Sequence, residues 1–445
     1  MASERGVIAR HAVTVLVGQL AVMAFGVTDT IVAGRFAEGA LAALSVGSAI
    51  FISVYVSLMG GLQALLPVWA ELHGARRTSE VGRSVRQSLY LCAAAIALGM
   101  ALLLFPTPLL RWTEVPPAMR DEVVAYLQVL AFALAPALLF RLFSTLNQSL
   151  GKPRLVTWLQ LASLGLKLPL SIWFTFGGAG LPAMGLVGCG WATLAVNYTM
   201  LAAAVWLLRS DPFYTGYRFW QRIEPPDWRQ LRRFARLGVP AGLSVLVEVT
   251  SFTLMALFIA RLGTAASAAH QIASNLTAVA YMMPLSLAIA TSARISFWLG
   301  AGDATQARRA CRRGFELTVC FALLFAGGMA ALRWQLAGVY SANPAVVALG
   351  ATLLLATAVY HFADALQTLC VFVLRCYRVT VAPLVLYCAL LWGLGLGGGY
   401  LLAYRGFGTW AAMPSPLAFW LMGALALAVT AGLFVVLLLS TLKRR

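Results

Sequence analysis

The sequence predicts an all-α membrane protein of twelve transmembrane helices, and three observations carry that reading. Of 445 residues 61% are hydrophobic and 11% charged, where a soluble chain carries about 25% charge. The apolar residues come in long blocks rather than in the alternation of an outer-membrane barrel. The cations gather in every second loop.

Each span rests on a window of about 20 apolar residues, the length that crosses a bilayer. The first, 11–33, follows Arg5 and Arg10 and lacks an Ala-x-Ala cleavage site, so it reads as a retained helix rather than a signal peptide. The second, 44–70, leads to Arg76, Arg77, Arg83 and Arg86, and the third, 88–110, to Arg111. The fourth and fifth, 123–148 and 155–176, flank Lys152 and Arg154. The sixth, 184–208, opens the polar stretch 209–236, which holds seven arginines. The remaining spans lie at 237–261, 267–298, 316–335, 346–374, 380–403 and 416–441. Arg308, Arg309, Arg312 and Arg313 follow the eighth, Arg375 and Arg378 the tenth, and Lys443, Arg444 and Arg445 the twelfth.

A cytoplasmic N-terminus assigns 24 cations to that side. The other side receives six: Arg35, Arg111, Arg120, Arg261, Arg333 and Arg405. Arg141, Lys167 and Arg294 fall within spans or at their ends. The positive-inside rule then places both termini in the cytoplasm of a multi-pass inner (plasma) membrane protein. The net charge of +18 is explained by loops facing anionic lipid, which removes nucleic acid as a partner. Seven cysteines, with no CxxC pair, argue for neither a disulfide framework nor a zinc site. No HExxH, GxSxG or P-loop occurs and no nucleophile sits with a base, so an enzyme is not expected. Gly393-x-Gly395-x-x-Gly398 spells a dinucleotide fingerprint, but inside the eleventh span and without a preceding strand it reads as close helix packing.

The stretch 209–236, with Pro212, Gly216, Pro225, Pro226 and the segment WRQLRRFARL, divides the spans six and six. It predicts an N-lobe over 1–208, a cytoplasmic linker over 209–236 and a C-lobe over 237–445. A shift of 226 residues brings Arg35 onto Arg261, Ala42-Ala43 onto Ala268-Ala269, Gly74-Ala75 onto Gly300-Ala301, Arg83 onto Arg309 and Arg86 onto Arg312. Six spans separate equivalent points, so the lobes share an orientation. A pseudo-twofold axis along the membrane normal and a central cavity follow, an arrangement found in transporters. One chain supplies both lobes, which predicts a functional monomer.

Three of the fifteen acids fall within spans: Asp29, Glu248 and Asp364. Each costs at least ~2.5–3.5 kcal/mol to insert and needs a partner, a cavity or a function. Glu248 in the seventh span and Asp364 in the tenth both lie roughly 17 Å from the cytoplasmic end at 1.5 Å per residue. Tyr360 and Gln367 extend a helical stripe through Asp364, and Ser244 and Phe252 flank Glu248 by one turn each. One reading is a cation site of carboxylate and hydroxyl oxygens, with Phe252 offering a π face. The other is two carboxyls, at least one protonated, hydrogen-bonded to neighbours. Asp29 lies about 28 Å up the first span, and Lys167, the one lysine in a span, can reach that level by snorkelling. A buried Asp29–Lys167 pair therefore stands beside a proton site as its alternative. His361, one turn from Asp364, reads as a packing residue.

Several stretches resemble the multidrug and toxic compound extrusion (MATE) family and its NorM-type branch: VTDTIVAGR (27–35), LPAMGLVGCGWAT (181–193), GVPAGLSVLVEVTSF (238–252), AAHQIASNLTAVAYMMPLS (268–286), YHFADALQ (360–367) and LRCYRVTVAP (374–383). The resemblance covers essentially the whole chain. It implies a secondary active multidrug exporter, an antiporter of lipophilic cationic drugs or dyes against Na+ or H+, with no cofactor besides that ion and lipid as its surroundings. The matching positions make Glu248, Tyr360 and Asp364 the coupling-cation site, with Glu248 and Asp364 as metal ligands if the ion is sodium. Asp29 matches the family's aspartate of the first helix, and with Lys167 and Ser171 marks a possible proton site in the N-lobe. Gln19, Phe252, Tyr281, Met282, Met283 and Gln367 are expected in the substrate cavity. The chain departs from the family at Thr14, where proline is usual, at Lys167 and Ser171, where amide or acidic residues are usual, and at Cys376, where glycine is usual. The alternative is a lipid-linked oligosaccharide flippase of the same superfamily, which needs a basic cavity for a pyrophosphate.

Overall fold

The computed structural model describes residues 4–107, 117–178, 180–406 and 411–443. Twelve helices in it are long and apolar enough to cross a membrane: α1 Glu4–Phe36, α2 Glu38–Gly74, α3 Thr78–Leu104, α4 Met119–Ser149, α5 Pro153–Phe176, α6 Leu186–Ser210, α7 Trp228–Ala260, α8 Thr264–Gly300, α9 Ala304–Ala331, α10 Pro344–Cys376, α11 Val381–Tyr404 and α12 Pro416–Lys443. Every predicted span has its helix. Several begin earlier than hydropathy suggests. α7 starts at Trp228 rather than 237, because its first turns are the polar WRQLRRFARL segment, and a polar turn satisfies its backbone in a helix as well as an apolar one does. Among the described residues there is no β-strand, only an isolated bridge between Gly178 and Leu181. Arg111, Glu114, Arg444 and Arg445 lie outside the described residues.

One proline coincides with a helix break, although Pro136, Pro169, Pro240 and Pro284 lie inside continuous helices. α2 is interrupted at Ala64 and Leu65, because Pro67 has no N–H to give Gln63 and its ring clashes with that carbonyl. At an offset of 226 residues α8 has Ala293 in that place and runs unbroken to Gly300. The internal repeat otherwise holds at the level of helix ends: α2 and α8 end at Gly74 and Gly300, and α3 and α9 start at Thr78 and Ala304. Both α2 and α8 end in a left-handed residue, Arg76 at φ 59° and Gly302 at φ 78°. The N–H of the following residue then returns to the carbonyl five back, Arg77 to Leu72 and Asp303 to Trp298, each at 3.0 Å. α1, with Thr14 where the family has proline, is continuous; Thr14 Oγ1 donates to the Arg10 carbonyl at 2.8 Å.

The chain clusters into two compact units, one of residues 17–242 and one of residues 1–16 with 243–445. The division therefore falls inside α1 and α7 rather than at the linker.

Within 17–242 the core is Leu62, Leu65, Trp69, Leu127, Leu130, Leu134 and Leu138. Gly238 and Gly242 of α7 lie against α2, where a Cβ on either would stand 2.8 Å from the Gly61 carbonyl oxygen and 2.7 Å from that of Ser57 respectively. Only glycine permits that approach. The linker is docked. Arg86 donates through Nε to Glu224 at 2.9 Å and through Nη2 to its other oxygen, and Gln87 bonds the Pro225 carbonyl and the Asp227 N–H at 3.0 and 2.9 Å. The guanidinium holds the Glu224 carboxyl down at about 2, while burial pushes the Tyr214 and Tyr217 phenols up to about 12. At Gly82 a Cβ would fall 1.7 Å from the Tyr217 carbonyl oxygen.

In the other unit the first turn of α1 is held by ion pairs. Glu4 accepts from Arg294 Nε and Nη2 at 2.9 and 2.7 Å, and Arg5 Nε donates to Glu316 at 3.0 Å. α11 is α-helical at Val381–Tyr387 and Gly398–Tyr404 but wound as a π-helix over Cys388–Gly397, with the Gly398 N–H on the Gly393 carbonyl five residues back. Its glycines pack closely on α12: a Cβ on Gly398 would stand 2.5 Å from Met422 Cε and one on Gly399 2.7 Å from the Phe419 ring. Of the fingerprint-like glycines, Gly395 and Gly398 pack against α12, while a Cβ on Gly393 would meet nothing within 4 Å. Two arginines counted as loop cations are corrected: Arg86 lies inside α3 and Arg375 in the last turn of α10, both buried. Arg375 finds the Phe372 ring 4.5 Å away.

Candidate functional site

Glu248, Ser251, Phe252 and Met255 recur at i, i+3, i+4 and i+7 and so share one face of α7. That face, with Tyr360 of α10, Leu391, Gly395 and Leu396 of α11, and Phe419 and Gly423 of α12, lines a cavity of about 40 Å³ in the unit 243–445. At ~10–15 Å³ per water the space takes an ion with a water or two. It is far below the ~300 Å³ at which drug-sized pockets begin. The polar side chains among its lining residues are Glu248, Ser251 and Tyr360, and the rest of the lining is apolar. Ser251 donates to the Val247 carbonyl at 2.7 Å, which turns its lone pairs outward as acceptors. The Tyr360 ring is set by aromatic neighbours, edge-on to Phe252 at 5.8 Å and to Trp420 at 5.4 Å. Gly423 makes room for it, since a Cβ there would already touch the ring at 3.4 Å.

Asp364 is buried behind this cavity and does not line it. Its charge acts on Glu248, and its Oδ1 accepts from Gln367 Nε2 at 2.7 Å. Gln367 Oε1 in turn accepts from the Tyr387 hydroxyl. Tyr281 lies within electrostatic reach of both acids, and Gln367 Nε2 also donates to Thr368 Oγ1 at 3.2 Å. Of the predicted coupling trio, Glu248 and Tyr360 face the cavity and Asp364 stands in electrostatic reach. Of the residues expected around substrate, Phe252 lines this cavity. Tyr281 and Gln367 belong to the network behind it, Met282 and Met283 do not line it, and Gln19 lies in the other unit, buried with its Nε2 unpartnered among the described residues. Both ring nitrogens of His361 also lack a partner among the described residues, and its ring sits 6.1 Å from Phe325. Ser251 and Tyr387 were not singled out from the sequence. Ser251 carried a signal, one turn from Glu248 on the same face; Tyr387, twenty residues from Gln367, carried none.

In the unit 17–242 the structure brings Asp29, Lys167 and Ser171 together. Lys167 Nζ lies 2.7 Å from Asp29 Oδ1, and Ser171 Oγ donates to the same oxygen at 3.2 Å. Lys167 is fully buried and also donates to the Cys189 carbonyl at 3.2 Å and Thr193 Oγ1 at 2.7 Å. All three of its ammonium protons therefore have an acceptor. The geometry is that of the ion pair. Thr193, which completes it, lies in the LPAMGLVGCGWAT stretch. Arg141, the other cation deep in a span of this unit, is buried and donates to Met59 Sδ.

The family model described as MatE matches residues 15–173 and 240–401. The chain is 36% identical over 434 residues to the "Probable multidrug resistance protein NorM" of Aromatoleum aromaticum, covering 98% of this chain and 94% of that one. It is 37% identical over 424 residues to the protein of the same name from Chromobacterium violaceum, covering 92% and 90%. Among solved structures it resembles the Vibrio cholerae MATE transporter VcmN in the bent form, with a TM-score of 0.84 at 19% identity over 99% of this chain and 97% of that one.

Proposed function

The chain belongs to the MATE family, and on that footing we propose that it is a secondary active multidrug exporter that moves lipophilic organic cations outward against entering Na+ or H+. The observation that carries this reading is the small cavity whose otherwise apolar lining holds Glu248, Ser251 and Tyr360, with Asp364 buried within electrostatic reach of Glu248. An arriving Na+ or proton neutralises negative charge that otherwise attracts an organic cation, so ion and drug exclude one another. Antiport needs only that exclusion, or a difference in affinity between inward- and outward-open states. Phe252, on the cavity wall, offers a π face to the drug cation.

In the unit 17–242 Asp29 is committed to Lys167, so we assign coupling to the carboxylates of the other unit. The excess of cations in alternate loops supports an inner-membrane orientation with both termini cytoplasmic. The flippase reading requires cations for a pyrophosphate, and neither lysine nor arginine lines this cavity.

Purified protein in proteoliposomes tests the proposal. Ethidium should move uphill under either an imposed sodium gradient at fixed pH or a pH gradient without sodium, and the gradient that works identifies the ion. If neither drives it, the exporter reading fails, and translocation of a lipid-linked oligosaccharide is measured in its place.

A further inference from the structure

Behind the cavity a chain of two hydrogen bonds runs from Asp364 to α11, and nothing in the coupling scheme above uses it. It starts at Asp364 Oδ1, passes through the Gln367 amide and ends at the Tyr387 hydroxyl. All three residues are buried. A buried polar atom without a partner costs about 1–3 kcal/mol, so each bond in the chain constrains the next. A tyrosine hydroxyl that donates to Oε1 fixes which way the amide faces, and the amide must then present Nε2 to the carboxylate. Oδ1 is occupied by that donor, and among the described residues no hydrogen bond reaches Oδ2, which is left for a cation.

Tyr387 is itself anchored, its ring edge-on to Phe434 at 5.3 Å. It is the last α-helical residue before the π-helical run Cys388–Gly397. π-helical turns are rare and concentrate at functional sites. Three residues of this one, Leu391, Gly395 and Leu396, form the cavity wall near Glu248 and Tyr360. The coupling acid and the wall of the ion cavity are thus joined through a single side-chain amide and one turn of helix.

We infer that Gln367 and Tyr387 are positioning residues: they orient the Asp364 carboxylate toward the coupling ion and tie it to the π-helical segment that walls the cavity. The inference rests on the coupling role proposed above. It concerns affinity for the ion rather than drug binding, because neither side chain lines the cavity.

The test is ethidium flux in proteoliposomes as a function of the driving ion, sodium at fixed pH and protons without sodium, for wild type, Tyr387→Phe, Gln367→Leu and the double variant. Tyr387→Phe keeps the ring on Phe434 and removes only the hydroxyl. Val385→Ala, on an exposed part of α11, serves as control. Each single variant should shift the ion concentration for half-maximal flux about tenfold while maximal flux stays within twofold. The double variant should shift it no further than Gln367→Leu alone, since both changes cut one chain. Should Gln367→Leu not assemble, Gln367→Asn, which keeps an amide too short to bridge, takes its place. Ion-dependent wild-type flux that Tyr387→Phe leaves unchanged, or shifts that multiply in the double variant, would overturn this inference alone. Wild-type flux without any ion dependence would overturn the coupling role and this inference with it.

Discussion

Asp29 and Lys167 show how a charge survives at membrane depth. Each alone is costly to bury, and together, with Ser171, Thr193 and the Cys189 carbonyl, they satisfy one another. Removing one partner leaves the other charged and unpaired, which costs about 3–5 kcal/mol, whereas replacing both by neutral groups of similar size is close to neutral. Asp29→Asn should therefore lower the unfolding midpoint in detergent strongly, and Asp29→Asn combined with Lys167→Met should restore most of it. Equal loss in both variants would show that the pair is not what Lys167 requires. Insertion cost made these residues legible in the sequence, together with Glu248 and Asp364, because a charge in a greasy helix is rare. Ser251, Thr193 and Tyr387 were not legible by the same measure. A hydroxyl in a membrane helix bonds its own backbone, as Ser251 does with Val247, and leaves no energetic signature until a second helix is placed beside it.

The twelve spans were readable as elements, since apolar length is what the bilayer selects, but their ends and their irregularities were not. Polar turns extend α1 and α7 beyond any hydropathy window, and the π-helical run of α11 carries glycines that a plain packing motif also accommodates. The linker is a further case. Its composition suggested a polar seam dividing the spans six and six, and the structure fastens it to α3 through Arg86, Gln87 and Gly82. The fastening should depend on pH. The folded Glu224 carboxyl sits at about 2, below its ordinary value of about 4.3. A group lowered by folding contributes stability that is present above its unfolded value and is lost as pH falls through its folded one. Wild type should thus exceed Glu224→Gln in unfolding midpoint at pH 6, and the gap should close between about pH 4 and 2. A gap that persists at pH 2 would show that the Arg86 contact does not depend on the Glu224 charge.

For the molecule as a whole, the proposed ion-coupled transport rests on the asymmetry of cations, the duplicated helix ends at an offset of 226 residues and the three acids placed deep within spans. The internal repeat does not extend to chemistry. The unit 17–242 holds a closed ion pair, and the other unit holds a small cavity lined by Glu248, with Asp364 buried nearby and no cation among the lining residues. Coupling should accordingly reside in the second unit alone. Gradient-driven ethidium flux in proteoliposomes, compared among wild type, Glu248→Gln, Asp364→Asn and the Asp29→Asn/Lys167→Met pair, measures that claim directly. At least a tenfold loss in each of the first two variants, with flux retained in the pair, is the predicted result; flux that survives in Glu248→Gln and Asp364→Asn but vanishes in the pair would contradict it.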